Sequence, residues 1–203
     1  MNKIEGFKPQ ESKEGKKNLP VGAYVGKIVD AKVEEYKTKD GKTISKLVIA
    51  LDVSEGENKD FYMSQYKEAS GRESKYPVRY KGTIRYALPG ADDPYAESHT
   101  RKLENAVWAV EQSNEGYHWD WNEKALKGKT VGFAVREFDW LLDDGRKGTS
   151  TEIGKLVSAQ DVREGKVKPM PKRELSERDK ARALEIDNAV HGLQEADEEP
   201  LPF

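Results

Sequence analysis

Two runs of alternating apolar and polar residues flank an Asp-Gly dipeptide, and this constrains the chain more than any other feature. From Val21 to Tyr36, positions Val21, Ala23, Val25, Val29, Ala31 and Val33 are apolar, with Tyr24 and Ile28 on the opposite side. From Thr43 to Val53, Leu47, Ile49, Leu51 and Val53 face one way and Ile44, Lys46, Val48 and Ala50 the other. Such alternation marks β-strands, because successive side chains on a strand emerge on opposite faces. Asp40-Gly41 between the runs supplies the positive φ that a tight hairpin turn needs. A long antiparallel hairpin therefore opens the fold, entered through Leu19-Pro20-Val21-Gly22.

The segment after the turn at residues 55–58, Asp60 to Tyr66, reads as a third strand that completes a meander. Residues 67–97 read as a polar connection with one short strand around Thr83–Ala87. Ser98 to Gln112 reads as a helix capped by Ser98, with Leu103, Ala106, Val107 and Val110 on its apolar face. Residues 117–121 form an aromatic loop in which Trp119 and Trp121 are expected as core or lid. Two more strands follow, Val131–Trp140 and Thr149–Ala159, joined by a turn at residues 143–148. The predicted fold is mainly β: a five-stranded OB-fold Greek-key barrel with one helix between strands three and four, because three strands, a helix and two strands follow in that order.

The chain beyond Ala159 turns basic and proline-containing (Arg163, Lys166, Lys168, Pro169, Pro171, Lys172, Arg173) and is expected to be a linker. A helix over Ser176–Leu193 follows, with Ser176 as its cap and a thin stripe of Ala183, Ile186, Val190 and Leu193. The expected organisation is a flexible arm over 1–18, the barrel domain over 19–160, a basic linker and helix over 161–194, and a disordered acidic tail over 195–203. Hydrophobic and charged residues each make up 35% of the chain, which fits one core with exposed extensions. The net charge is −2, and removing the four acids of the last twelve residues leaves +2 on the rest.

There is no cysteine, so disulfides, zinc fingers, iron–sulfur clusters and thiol nucleophiles are excluded and a cytoplasmic location is expected. No stretch has the run of about 20 apolar residues that a membrane helix needs. His99, His118 and His191 lack metal-ligand spacing, and no phosphate-binding glycine loop is present, so the reading is of a non-enzyme with no cofactor and no metal.

Gripping a single strand without reading its sequence takes cations for phosphates and aromatic faces for bases. The first hairpin offers Tyr36, Lys37, Lys39, Lys42 and Lys46, and the expected third strand offers Tyr62 and Tyr66. The fourth strand offers Arg136, Phe138 and Trp140, and the turn after it Arg146 and Lys147. Tyr80, Arg85 and Tyr86 form a reserve set. In OB-folds, ligands cross strands two and three between the 1–2 and 4–5 loops, where most of these residues fall.

The chain closes on Glu195-Ala-Asp-Glu-Glu-Pro-Leu-Pro-Phe203, acids followed by an apolar hook. Two prolines in three positions forbid helix there, and the aromatic end is a rigid anchor for a partner's pocket. Asp197, Glu198, Glu199, Leu201, Pro202 and Phe203 resemble, position by position, the C-terminal tip of bacterial and phage single-stranded-DNA-binding proteins. Pro200 departs from that pattern. Leu19-Pro20-Val21-Gly22-Ala23-Tyr24, the hairpin around Asp40-Gly41 and Leu126-Lys-Gly-Lys129 resemble the OB-fold domain of such proteins from phages of Gram-positive hosts.

The resemblance implies a phage-encoded protein, acting in the bacterial host cell, that coats single-stranded DNA. It also implies that the tip recruits a helicase, primase, nuclease or recombinase, and oligomers are compatible with it. Two other classes compete. A protein-interaction adaptor could use the same barrel, and a metal-dependent nuclease could draw on Asp92, Asp93, Asp143, Asp144 and Glu164.

Overall fold

The computed structural model describes residues 18–38, 41–73 and 75–197. The expected N-terminal arm and the tip from Glu198 to Phe203 lie outside these residues. The alternating runs form β1 (Gly22–Lys37) and β2 (Thr43–Val53), paired antiparallel from Gly26↔Val53 to Lys37↔Thr43. β3 (Thr83–Leu88) joins the far edge of β2. β4 (Thr130–Leu141) pairs with the first half of β1, and β5 (Lys147–Val157) pairs with β4. One antiparallel sheet results, in the order β3-β2-β1-β4-β5.

The mainly β expectation therefore holds, whereas the closed barrel is corrected. The sheet is open, with β3 and β5 as its edges. Helix α2 (Ala96–Gln112) packs against β3, β4 and β5, so its Leu103, Ala106, Ala109 and Val110 cover the core that a β3–β5 ladder would otherwise seal. α2 begins at Ala96, two residues before the expected cap at Ser98. The Asp93 carboxylate there accepts the Tyr95 amide at 2.9 Å.

Asp60–Tyr66 is not a strand. Residues Phe61–Ser70 form helix α1, and the reason lies on β2. The Asp52 carboxylate, only 6% exposed, accepts the backbone N–H groups of Tyr62 at 2.9 Å and Met63 at 3.0 Å, as well as that of Val53. The first turn of a helix carries N–H groups with no partner inside the helix, and a distant carboxylate supplies them here. Tyr62 and Tyr66 still share a side, because a spacing of four keeps one face in a helix as in a strand.

The expected linker is docked instead. Helix α3 (Ala159–Arg163) follows β5 directly, capped by Ser158, and Val162 packs against Gly132 on the outer face of β4. Further on, the Arg173 N–H donates to the Glu137 carbonyl and its own carbonyl accepts from Asp139 N–H, each at 2.9 Å, adding a one-residue parallel bridge beside β4. Helix α4 (Glu177–Asp197) starts where Ser176 accepts the Asp179 amide, as expected, and runs on through Glu195 and Asp197.

Replacing Asp52 by Ala leaves the first-turn amides of α1 without an acceptor. The expected cost is about 2 kcal/mol, read as a lower urea midpoint with local loss of amide-exchange protection over 61–66.

Candidate functional site

The register of β1, β2 and β3 sorts their side chains into a core face and an outer face. Ala31, Leu47, Ile49, Ile84 and Tyr86 turn inward and are buried. The outer face is built in rows across the strands: Lys32–Val48–Arg85, then Glu34–Lys46–Ala87, then Tyr36–Ile44. Three cations, Lys32, Lys46 and Arg85, stand there with two carboxylates, Glu34 and, in the next row, Asp30. The Lys46 ammonium lies 4.9 Å from the centroid of the Tyr36 ring, which holds the ring's orientation by a cation–π contact. Glu34 pairs with Lys32 at 2.7 Å and accepts the Tyr36 hydroxyl, and these two contacts hold its carboxyl below the ordinary range. Tyr36 and Ile44 both remain exposed at the hairpin end of this face.

The β4–β5 hairpin carries the second group of expected residues, and there the charges are already partnered. Arg136 and Glu152 face each other across the strands at 3.0 Å. Arg173 reaches the same carboxylate with two nitrogens, at 2.8 and 3.0 Å, while its guanidinium lies 5.0 Å over the Phe138 ring. Burial raises the Glu152 carboxyl's affinity for a proton, but the two guanidiniums outweigh it and hold the pKa low. Trp140 lies flat on Gly148, where a β-carbon would sit 2.7 Å from the indole. Arg146 pairs with Asp144 at 2.7 Å. Lys147 pairs with Asp187 of α4 at 3.1 Å, Arg182 of α4 reaches Asp143 at 2.8 Å, and Ile186 rests against Gly145. The C-terminal helix is thus clamped onto the turn expected to contact DNA.

Of the expected residues, Tyr36, Lys37, Lys42 and Lys46 gather on the first hairpin. Lys37 leaves β1 on the face opposite Tyr36, since neighbours along a strand alternate. Arg136, Phe138, Trp140, Arg146 and Lys147 gather on the second hairpin. Tyr66 and Tyr62 belong to neither: they sit on α1, where Tyr62 is 7% exposed and packed in the core, and Tyr66 meets Tyr80 edge-on at 5.8 Å. Tyr86, of the reserve set, is buried, whereas Arg85 joins the outer face. Lys32 was missed, although it shares the parity of Tyr36 along β1. Lys39 and residues Glu198 to Phe203 fall outside the described residues, and Asp197 ends α4.

Of Asp92, Asp93, Asp143, Asp144 and Glu164, four are bonded to basic partners. Asp93 bonds His99 at 2.6 Å, Asp143 and Asp144 bond arginines, and Glu164 bonds Lys166. Among the described residues no group of three or more metal-ligating side chains converges, and no helix is long and apolar enough to cross a membrane.

Substituting Glu152 by Gln strips Arg136 and Arg173 of their shared carboxylate. The expected loss is about 1–2 kcal/mol after solvent screening, measured by urea unfolding. Because the folded carboxyl titrates below its unfolded value, the gap between wild type and variant is full at neutral pH. It closes as pH falls below about 4.

No protein-family model and no curated protein matches this chain.

Proposed function

We propose that the chain binds single-stranded DNA largely without regard to sequence, through the outer face of β1, β2 and β3, and recruits replication or recombination proteins through residues 195–203. The observation that carries this reading is the Tyr36 ring held under Lys46 beside Lys32 and Arg85, a stacking surface bordered by phosphate partners. The order of elements supports it. An OB-fold is a five-stranded, partly open Greek-key barrel that binds oligonucleotides across strands two and three, and a five-stranded antiparallel sheet with a helix between its third and fourth strands supports that comparison.

The second hairpin enters this reading differently from the first. Its cations are ion-paired, Arg136 with a Glu152 that Arg173 shares, Arg146 with Asp144 and Lys147 with Asp187 of α4, so a strand that reached Lys147 would have to displace Asp187. The first hairpin therefore supplies the primary contact. The partner-binding role of Asp197, Glu198, Glu199, Leu201, Pro202 and Phe203 rests on their resemblance to the tip of single-stranded-DNA-binding proteins.

Titration with fluorescent oligo-dT at several salt concentrations tests the reading. Affinity falls steeply with salt, and Lys46→Ala or Arg85→Ala each lowers the log–log salt slope by about one. Tyr36→Ala weakens binding by about 1–3 kcal/mol with the slope unchanged. Absence of binding would leave an adaptor, and shortening of the oligonucleotide on addition of magnesium would reveal a nuclease.

Deleting Leu201–Phe203 separates the two roles. Oligo-dT affinity is retained or raised, while pull-down of a helicase, primase, nuclease or recombinase partner is lost.

A further inference from the structure

Away from the outer face, three of the four tryptophans surround a groove beside α2. Thr100, Leu103, Glu104, Val107, Trp108 and Glu111 recur at spacings of three and four, forming one stripe of the helix. Leu103 and Val107 make its floor, continuous with the core. Trp119 and Trp121 form the opposite wall, and the space between is about 400 Å³. Trp119 and Trp121 were expected as core or lid: Trp119 packs against the core, whereas Trp121 is 73% exposed, and Trp108 on the helix is 54% exposed.

The wall is fixed in place. The Glu111 carboxylate accepts the Trp119 N–H at 2.9 Å, the Trp119 indole donates to the Asn122 carbonyl at 3.1 Å, and the Trp119 and Trp121 rings meet at 4.9 Å. Trp121 is held at φ 68°, a left-handed conformation that costs free energy for any residue with a β-carbon. A strained backbone that holds an indole in water is destabilising on both counts, and such positions concentrate where a ligand is gripped.

We propose that this groove docks an extended, apolar peptide segment of a partner protein that carries a Lys or Arg side chain. Charge decides the occupant. Both charged side chains lining the groove, Glu104 and Glu111, are carboxylates, and Glu104 has no ion-pair partner among the described residues. They repel phosphates and the chain's own acidic end. A guanidinium or ammonium is drawn to them and to the indole faces, the strongest cation–π acceptors among side chains. The apolar floor takes aliphatic or proline residues on either side of the cation, as aromatic-lined grooves do with extended peptides. The inference is independent of the DNA reading, which concerns a different face and the opposite charge.

Selection of a random-sequence peptide display library on the full-length protein tests it. Enriched peptides are then synthesised and titrated by tryptophan fluorescence. The expected winners carry Lys or Arg next to proline or aliphatic residues. Trp108→Ala, Trp121→Gly and Glu104→Lys each weaken them about tenfold or more. Trp121→Gly relieves the left-handed strain and is expected to fold at least as stably as Trp121→Ala, with oligo-dT affinity unchanged within about twofold because the two sites are separate. Any of three results overturns the proposal: no enrichment above background, winners without a basic residue, or winners indifferent to all three substitutions. Loss of oligo-dT binding in Trp121→Gly also overturns it, by assigning the groove to bases.

Discussion

Gly26 has no side chain, and the sheet is built around that absence. Only at Gly26 and Lys27 does β1 pair on both sides at once, with Val53 and Asp52 of β2 and with Val131 and Thr130 of β4. Before this point β1 belongs to β4, and after it to β2. A β-carbon on Gly26 would sit 2.5 Å from the Phe133 ring and 2.6 Å from the Asp52 carbonyl oxygen, both well inside contact distance. The fully buried Phe133 ring fills that place, with Tyr24 tilted beside it at 5.8 Å. A register shift between Ile28 and Asp30 then bends β1 just beyond the crossing. One strand can thus hold two hairpins, and the first presents its outer face free of the second.

Where local pattern and tertiary contact agree, the architecture was legible. Alternation and Asp40-Gly41 located β1 and β2 to within a residue, and the apolar spacing of Leu103, Val107 and Val110 located α2. Asp60–Tyr66 misled for a definite reason. Its aromatic residues suit a strand, and Tyr62 and Tyr66 at a spacing of four satisfy either period. What makes the helix is the buried Asp52 carboxylate ten residues upstream, a capping contact that no local window contains. The open sheet has a similar origin, since only the packed structure shows that α2 fills the gap between the edge strands.

Charge was legible as residue type but not as availability. Arg136, Arg146 and Lys147 look like phosphate ligands along the chain, yet each already has an acid for a partner, Glu152 (shared with Arg173), Asp144 and Asp187. Two of those acids are local. Asp187 lies forty residues downstream and reaches Lys147 only because α4 folds back. The pairing of Lys46 with Tyr36 is different, since it occupies a cation without cancelling its charge, and the tyrosine stays exposed. Lysine therefore meets a ring at Lys46 and a carboxylate at Lys32 and Lys147, and its neighbours decide which.

The aromatic side chains also divide by the sign of the charge beside them. Tyr36 on the outer face stands among Lys32, Lys46 and Arg85, whereas Trp108, Trp119 and Trp121 stand with Glu104 and Glu111. An aromatic ring binds a nucleobase or a cation about equally well by its π-face, so the flanking charge determines which class of molecule comes within reach. On the two proposed readings, separating the signs onto different faces would let a polyanion and a cationic peptide occupy one small protein together, where a single mixed patch would force them to compete. On the same readings, an acidic segment following α4 would be drawn to the outer face of β1–β3 rather than to the tryptophan groove. On the proposed reading, its approach would contend with a bound strand and leave a docked peptide untouched.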